Sequence, residues 1–100
     1  MCGQKPTLMV EESGREIEVV NERGLHARAS AKVVELAERY ECDARISYAG
    51  EDADPRSIME LLTLGAACGS IVKLSASGTD AERFLDELET LFTDKFGEGR

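Results

Sequence analysis

The segment GLHARAS, residues 24–30, holds the single histidine of the chain, with an arginine two residues after it. The apolar spacing that follows predicts a helix from about Ala29 to Tyr40, which places His26 at or next to the helix N-cap. Unpaired backbone N–H groups and the helix dipole favour anions at such an end and disfavour an imidazolium ring. A neutral imidazole keeps a nitrogen lone pair that can attack a phosphoryl group, and the Arg28 guanidinium could then stabilise the dianion.

The pair of His26 and Arg28 does not decide the function by itself. Histidine and arginine two residues apart also occur on ordinary solvated helix starts, and a single histidine often has no special role. Gly24 is compatible with a tight, open turn ahead of the ring. The spacing therefore leaves a phosphorylated histidine and a surface residue as alternatives.

Composition narrows the functional classes. One hundred residues with 42% hydrophobic content suit one soluble domain, and a net charge of -8 argues against binding to nucleic acid or to an anionic membrane. Because no apolar run is long enough to cross a bilayer and the N-terminus lacks a signal-peptide core, we expect a cytoplasmic protein. Cys2, Cys42 and Cys68 show no CxxC spacing, so we interpret them as free thiols and expect neither a metal site nor a cofactor.

The elements that must position this segment follow from hydrophobic periodicity. Alternation and β-branched residues predict strands at residues 17–21, 43–50 and 71–77, and the residues from 51 onward are compatible with a short edge strand. Helical spacing predicts a first helix with Val33, Leu36, Ala37 and Tyr40 on its apolar face, a short helix ended by Gly65, and a last helix with Ala81, Leu85, Leu88 and Phe92 inward. Ser57 with Glu60, and Thr79 with Glu82, match capping boxes for the second and third helices.

This order indicates an α+β fold with an antiparallel sheet and its helices on one face. We expect residues 1–15 to be a loosely ordered extension, residues 16–93 to form the domain, and residues 94–100 to fray.

Two segments carry a resemblance to a known family. GLHARASAKVV resembles the active-site segment of HPr, the histidine phosphocarrier of the bacterial phosphotransferase system, and RSIMELLTLGAACGSIVKLSASGTDA resembles that family's second motif. Both occur in the family's order and spacing, and the similarity extends from about Ile17 to Phe92. The resemblance implies an open-faced β-sandwich in which three helices cover one face of a four-stranded antiparallel sheet.

The resemblance also implies roles for particular residues. His26 matches the histidine whose Nδ1 accepts a phosphoryl group from enzyme I, charged by phosphoenolpyruvate, and passes it to an enzyme IIA protein. Arg28 matches the arginine that steadies this group. Ser57 matches the serine that HPr kinase/phosphorylase modifies in some members. Such a carrier is a substrate of other enzymes more than a catalyst, and we expect it to be a monomer.

One position departs from the family pattern. The family segment usually has proline after the arginine, whereas this chain has Ala29, which permits the helix but makes its start less rigid. The departure puts the tightness of the site and its preference among partners in doubt. Glu35 and Glu38 make the wet side of the first helix acidic, and this favours the nitrogen-related regulatory branch over bulk sugar transport.

Two other interpretations stay open. As an N-cap, Ser57 has a structural role that would explain it without any phosphorylation, although a phosphate there could bond to helix N–H groups. A pure interaction module of the same fold, controlled at Ser57, is the alternative to a carrier. For docking of partners we expect Met59, whose flexible thioether suits several partners, and with it Ala27, Ala31, Ile58 and Leu62. Core packing is the competing explanation for Ile58 and Leu62.

Overall fold

One antiparallel sheet forms the scaffold of the molecule. The structure is a computed structural model that describes residues 12–100, and its strands are β1 (Glu12–Glu18), β2 (Asp43–Tyr48), β3 (Glu51–Ala53) and β4 (Ile71–Ser77). They pair in the order β1-β4-β2-β3. The helices are α1 (Ala27–Ala37), α2 (Ile58–Leu64) and α3 (Ala81–Thr93), followed by a 3₁₀ turn at Lys95–Gly97. The predicted α+β class is confirmed, and no helix within residues 12–100 has the length and apolarity to cross a membrane.

The core lies between the sheet and the helices. Alternate residues of β2 and β4 are buried, as the period of two requires, while their neighbours face solvent on the open side of the sheet. Helices α1 and α3 meet this face with the apolar residues expected from the sequence, except that α1 ends at Ala37, before Tyr40, and that α3 adds Phe84. The largest fully buried side chains are Phe84, Phe92, Phe96, Ile46, Leu61, Leu74, Leu85, Leu88, Val19, Val33, Val72 and Asn21.

The first strand shares only Ile17 and Glu18 with the predicted residues 17–21. It begins at Glu12 and ends at Glu18, and it pairs with β4 from Glu12 opposite Ser77 to Glu18 opposite Ile71. Sequence alternation misses this segment because cross-strand pairing and ion pairs hold it: the Arg15 guanidinium contacts carboxylates of Glu82, Asp86 and Glu89 on α3. Residues 12–15 of the expected extension are therefore part of the sheet, whereas residues 1–11 lie outside the described residues.

The C-terminal residues 94–100 do not fray. Phe96 is only 1% exposed, and its ring centroid lies 4.9 Å from that of Phe92. The Lys32 ammonium donates to the Phe96 carbonyl at 2.7 Å, and the Glu22 N–H donates to the Arg100 carbonyl at 2.8 Å. The chain reverses through positive φ at Lys95 and Phe96 (58° and 56°), a conformation that no hydrophobic period signals.

The helix starts agree only in part with the sequence. Ser57 caps α2 as predicted, and Gly65 ends it at φ 68°. The second expected capping box is wrong, since Asp80 holds the N-cap position of α3 and makes no side-chain cap hydrogen bond. Glu82 instead accepts a hydrogen bond from Arg15. A long-range ion pair has taken the carboxylate that the local pattern assigned to the cap.

Candidate functional site

His26 is the N-cap residue of α1, as its position in the sequence predicted. Its backbone is extended, with φ -79° and ψ -175°, and its carbonyl accepts the first helical hydrogen bond, from the Ser30 N–H. A tight turn precedes it, in which the His26 N–H donates to the Gly24 carbonyl at 2.9 Å. The imidazole is 22% exposed. The ring therefore stands at the open end of a helix and is accessible from solvent.

The two ring nitrogens of His26 face different groups. Nδ1 accepts a hydrogen bond from the Arg28 backbone N–H at 3.3 Å, so the ring itself is the cap. Nε2 is in contact with the Glu98 carboxylate, which can only accept from it. This pair of partners favours the tautomer with the proton on Nε2 and the lone pair on Nδ1. In this tautomer Nδ1, at the N-terminus of α1, is the ring nitrogen that can act as a nucleophile.

Glu98 is held in place by a buried amide. The Asn21 side chain, fully buried, donates from Nδ2 to Glu98 Oε1 at 3.0 Å and to the Gly24 carbonyl at 2.9 Å. Desolvation by itself would raise the pKa of Glu98, but hydrogen bonds from Asn21 and His26 outweigh it, so the pKa is lowered. Glu98 is therefore an ionised partner of the imidazole at neutral pH.

Neither Asn21 nor Glu98 was expected from the sequence. Asn21 ends the segment that follows β1, and Glu98 lies 72 residues from His26 in a tail predicted to fray. Only a folded C-terminus brings the carboxylate to the ring. A partial signal existed in Phe96, a large apolar residue in an otherwise polar tail, because exposing such a side chain is unfavourable.

Ala29 does not prevent α1 from forming, and the helix starts two residues earlier than expected. The helix begins at Ala27, and Ala29 is fully buried against the core. The buried Ser30 hydroxyl also donates to the Leu25 carbonyl at 3.3 Å, which ties the first turn to the preceding loop. That loop is fixed in turn to the end of α2, since the Leu25 N–H donates to the Ala66 carbonyl at 2.9 Å. The start of α1 is thus positioned by packing and hydrogen bonds rather than by a proline ring.

The side chain of Arg28 is exposed on the first turn of α1. It lines a cavity of about 480 Å³ with three further cations, Arg23, Lys32 and Arg100. The helix N-terminus and these side chains make the surroundings of His26 positive in a chain whose net charge is -8. This charge distribution suits an anion close to the ring.

Ser57 lies at the second helix start. Its Oγ accepts the Glu60 N–H at 3.2 Å, while the Glu60 carboxylate accepts the Asp54 N–H at 2.8 Å in place of the Ser57 N–H that a full capping box would supply. The Asp54 carboxylate accepts the Arg56 N–H at 2.9 Å. Two carboxylates therefore belong to the hydrogen-bond network around Ser57.

The expected docking residues lie on two helices that pack against each other, α1 and α2. Met59 is 72% exposed, and Ile58 and Leu62 are 39% and 38% exposed. The core interpretation of Ile58 and Leu62 is wrong, because Leu61 and Leu64 supply the buried side of α2. On α1, Ala27 is exposed and Ala31 is half-buried. A run of three exposed apolar side chains on so short a helix is typical of a surface that meets partners.

The fold and the site together define a small α+β domain that presents one histidine at a helix start, with Nδ1 accepting a backbone N–H and several cations nearby. The family model described as "PTS HPr component phosphorylation site" matches residues 14–94. The phosphocarrier protein HPr of Cupriavidus necator is 40% identical over 85 residues, covering 85% of this chain and 96% of that protein. The HPr of Pseudomonas aeruginosa is 39% identical and covers 84% of this chain and 94% of its own length.

Solved structures agree with these sequence matches. A crystal structure of HPr from Thermoanaerobacter tengcongensis superposes with a TM-score of 0.83 at 36% identity, covering 86% of this chain and 97% of that one. The chain belongs to the HPr family of phosphocarrier proteins of the phosphotransferase system. The predicted open-faced sandwich is confirmed by the same superposition.

Proposed function

We propose that this chain accepts a phosphoryl group on Nδ1 of His26 from enzyme I, itself charged by phosphoenolpyruvate, and passes it to an enzyme IIA protein. The observation that carries the proposal is the pair of contacts on the ring. A carboxylate holds the proton on Nε2, and a backbone N–H at the helix start lies against Nδ1. Family membership supports the class of chemistry, and these contacts support the atom.

In the transfer step, the Nδ1 lone pair forms a bond to phosphorus while the bond between phosphorus and enzyme I breaks. The electron pair of the broken bond stays on enzyme I, and the Nε2 proton stays on the imidazole. Once Nδ1 is bonded to phosphorus, the Arg28 N–H no longer donates to the nitrogen lone pair and can donate to a phosphoryl oxygen. The Arg28 guanidinium adds a second charged donor for the dianion.

Glu98 serves the second half of the cycle. A phosphorylated imidazole that keeps its Nε2 proton leaves phosphorus as a neutral ring, which is a better leaving group than an imidazolate. The carboxylate, held by Asn21, stabilises that proton. We therefore assign Glu98 as a positioning residue that keeps the phosphoryl group transferable to enzyme IIA.

We also propose that Ala27 and Ala31 of α1 and Ile58, Met59 and Leu62 of α2 form the surface on which these proteins dock in turn. Their exposure and the packing of α1 on α2 support this surface. Ser57, at the start of α2, would be the regulatory position, modified by HPr kinase/phosphorylase. A phosphate there would add about -1.5 to -2 of charge next to Met59.

The test of phosphoryl acceptance uses intact-mass spectrometry after incubation with enzyme I and phosphoenolpyruvate. We expect the wild type to gain the mass of one phosphate and His26→Ala to gain none. Arg28→Ala should slow acceptance by about a hundredfold, as loss of a charged donor to a transferring group does. Arg83→Ala removes an exposed arginine on α3 and is the matched control. An unchanged mass gain in His26→Ala would contradict the proposal.

A further inference from the structure

The cavity beside α1 is lined by four basic side chains and by two acidic ones, Glu22 and Glu98. It measures about 480 Å³ and opens between the loop after β1, the first turns of α1 and the chain end. Four of the chain's twelve lysines and arginines line it: Arg23, Arg28, Lys32 and Arg100. The volume lies within the range of small-molecule sites, which is about 300–1,000 Å³.

The acids around this cavity leave much of its positive charge uncompensated. Glu98 lines the cavity, but its carboxylate is engaged by His26 and Asn21. Glu22 pairs with Arg100 at 3.6 Å, a separation at which the pair is weak. Within residues 12–100, neither Arg23 nor Arg28 takes part in a salt bridge.

Lys32 is fixed rather than neutralised. Its ammonium donates to the carbonyl of Phe96 at 2.7 Å, so its stem is ordered while the full charge remains at the cavity wall. An ordered cation costs less conformational entropy when a ligand binds than a free surface lysine does. The cavity is therefore partly preorganised for an anion.

The cavity lies next to the position that a phosphoryl group on Nδ1 would take. Glu98, which contacts Nε2, lines the cavity, whereas His26 itself does not. Arg28 alone is shared, since its side chain lines the cavity and its N–H meets Nδ1. Two anions, one at each place, would compete for the Arg28 guanidinium.

We propose that this cavity binds a small molecule carrying two or more phosphate groups and that the bound ligand slows phosphoryl acceptance at His26. Four cations, of which Lys32 is held by a hydrogen bond, and a mostly polar lining suit an oligophosphate, whose oxygens accept charge-assisted bonds from arginine. The ligand holds the Arg28 guanidinium in the cavity, away from a phosphoryl group on Nδ1, and adds negative charge beside the ring. By linkage, phosphorylation of His26 weakens ligand binding by the factor by which the ligand lowers the equilibrium extent of phosphorylation. The regulatory half of this inference rests on the proposed phosphoryl transfer, whereas the binding half does not.

The binding experiment uses inorganic tripolyphosphate as the probe, titrated by calorimetry into the full chain, with monophosphate for comparison. We expect tripolyphosphate to bind more tightly than monophosphate, and Arg23→Glu and Arg100→Glu each to weaken it by about tenfold or more. Arg83→Glu makes the same charge reversal on α3, outside the cavity, and should leave binding within about twofold. Equal losses in all three variants, or no binding by the wild type, would overturn the proposal.

The regulatory effect is measured as the rate of acceptance at His26, with and without saturating tripolyphosphate. We expect slowing in the wild type and little slowing in the double variant Arg23→Glu/Arg100→Glu. An effect of tripolyphosphate on enzyme I or on its metal would slow both proteins equally, and that result would overturn the regulatory half. Failure of His26 to be phosphorylated at all would refute the proposed function, while the calorimetry would still decide the cavity. If an acidic segment of a partner protein is the true occupant of the cavity, the wild type will not bind tripolyphosphate, although Arg23→Glu will still slow transfer. That result would overturn the proposal.

Discussion

The starts of α1 and α2 are both capped by a side chain, but the capping residues and the groups that support them differ. At each, a side chain accepts a backbone N–H of the first turn: His26 Nδ1 from Arg28 at 3.3 Å, and Ser57 Oγ from Glu60 at 3.2 Å. The second start is completed by Asp54, three residues ahead of it. The first is completed by residues far away in the sequence, Ala66 and Glu98. One site is local, and the other depends on the whole fold.

The two starts also differ in charge. Four cations line the cavity next to His26, whose Nε2 also contacts Glu98, whereas the carboxylates of Asp54 and Glu60 belong to the hydrogen-bond network around Ser57. A phosphate is therefore favoured at His26 by its neighbours, but at Ser57 it would meet like charges and only a helix end in its favour. This difference in charge suits the proposed function, in which a phosphoryl group is carried at His26 and a phosphate at Ser57 inhibits transfer.

The largest test of this contrast is Phe96→Ala. Because the ring is fully buried against Phe92, we expect the free energy of unfolding to fall by about 3 kcal/mol or more, as for other buried Phe→Ala changes. The released tail should also take Glu98 away from His26 and leave the Ser57 cap intact. Urea denaturation gives the first effect, and amide hydrogen exchange at residues 26–30 and 57–61 separates the second.

Met59→Ala is the matched control, because it removes a large apolar side chain that is 72% exposed. We expect a change within about 0.5 kcal/mol. If the two variants lost similar stability, the tail would not be part of the fold.

The tail also shows why the sequence predicted the two starts unequally. The α2 cap follows from residue types within a few positions: Ser57 and Gly65 were placed correctly, and Glu60 forms one of the two bonds of the predicted capping box. The tail turns through positive φ at Phe96, and its contacts with distant residues such as Lys32 select that conformation. Such contacts join distant parts of the chain, so no window of sequence contains them. For the same reason Arg15 and the strand around it were missed.

A second test separates space from backbone conformation at the turn before His26. A Cβ on Gly24 would lie 2.5 Å from the Ala66 carbonyl oxygen, and φ there is +67°. Gly50 has φ +84° but no atom within 4 Å of such a Cβ. We expect Gly50→Ala to cost about 1 kcal/mol from conformation alone, and Gly24→Ala to cost at least about 2 kcal/mol more because backbone must move. Chemical denaturation of both variants measures the difference.

Gly24→Ala should also slow phosphoryl acceptance, since the turn orients the ring, while Gly50→Ala should not. Equal stability losses in the two variants would mean that the contact between the α1 start and the end of α2 is loose.

The third test uses the pH dependence of Glu98. At neutral pH we expect Glu98→Gln to be less stable than the wild type by about 1.5 kcal/mol, the value of a charge-assisted hydrogen bond. Since the folded-state pKa of Glu98 is lowered, the stabilisation is present above the ordinary carboxylate pKa and is lost as the pH falls through the lowered value. Thermal melts from pH 7 down to pH 3 should show the two curves converging below about pH 4.3.

Glu35→Gln changes an exposed carboxylate on α1 and serves as the control, with a small difference from the wild type that does not follow this pattern. A gap between wild type and Glu98→Gln that stays constant down to pH 3 would mean that the carboxylate does not act through its charge.

The location of His26 at a helix start was predictable from the sequence, whereas its electrostatic setting was not. The position of His26 could be predicted because the helical spacing of apolar residues begins just after it, and helix starts are determined by local sequence. The tautomer depends on Glu98 and Asn21, which meet only through the folded tail. The proposed docking side chains were predictable only in part. The sequence shows more apolar residues on α2 than one buried face can hold, but only the burial of Leu61 and Leu64 in the structure shows that Ile58 and Leu62 face outward.

The smallest expected effect is at Ser57, where stability and transfer should separate. Ser57→Ala removes the acceptor of the Glu60 N–H and should cost about 1 kcal/mol, whereas Ser57→Asp supplies another good N-cap and should cost close to nothing. Phosphoryl acceptance should respond in the opposite order. Ala keeps the surface neutral and leaves the rate near that of the wild type, but Asp adds a charge beside Asp54, Glu60 and the exposed Met59 and should slow the reaction by a few fold. A phosphoserine, with its larger charge, should slow it further.

Thermal melts of all three proteins, together with timed assays of phosphoryl transfer from enzyme I, measure the stability and the rate. Equal rates in wild type and Ser57→Asp would reject regulation by charge. If Ser57→Asp accepted the phosphoryl group slowly and had also lost its fold, the result would assign Ser57 only the local, structural role of a helix cap.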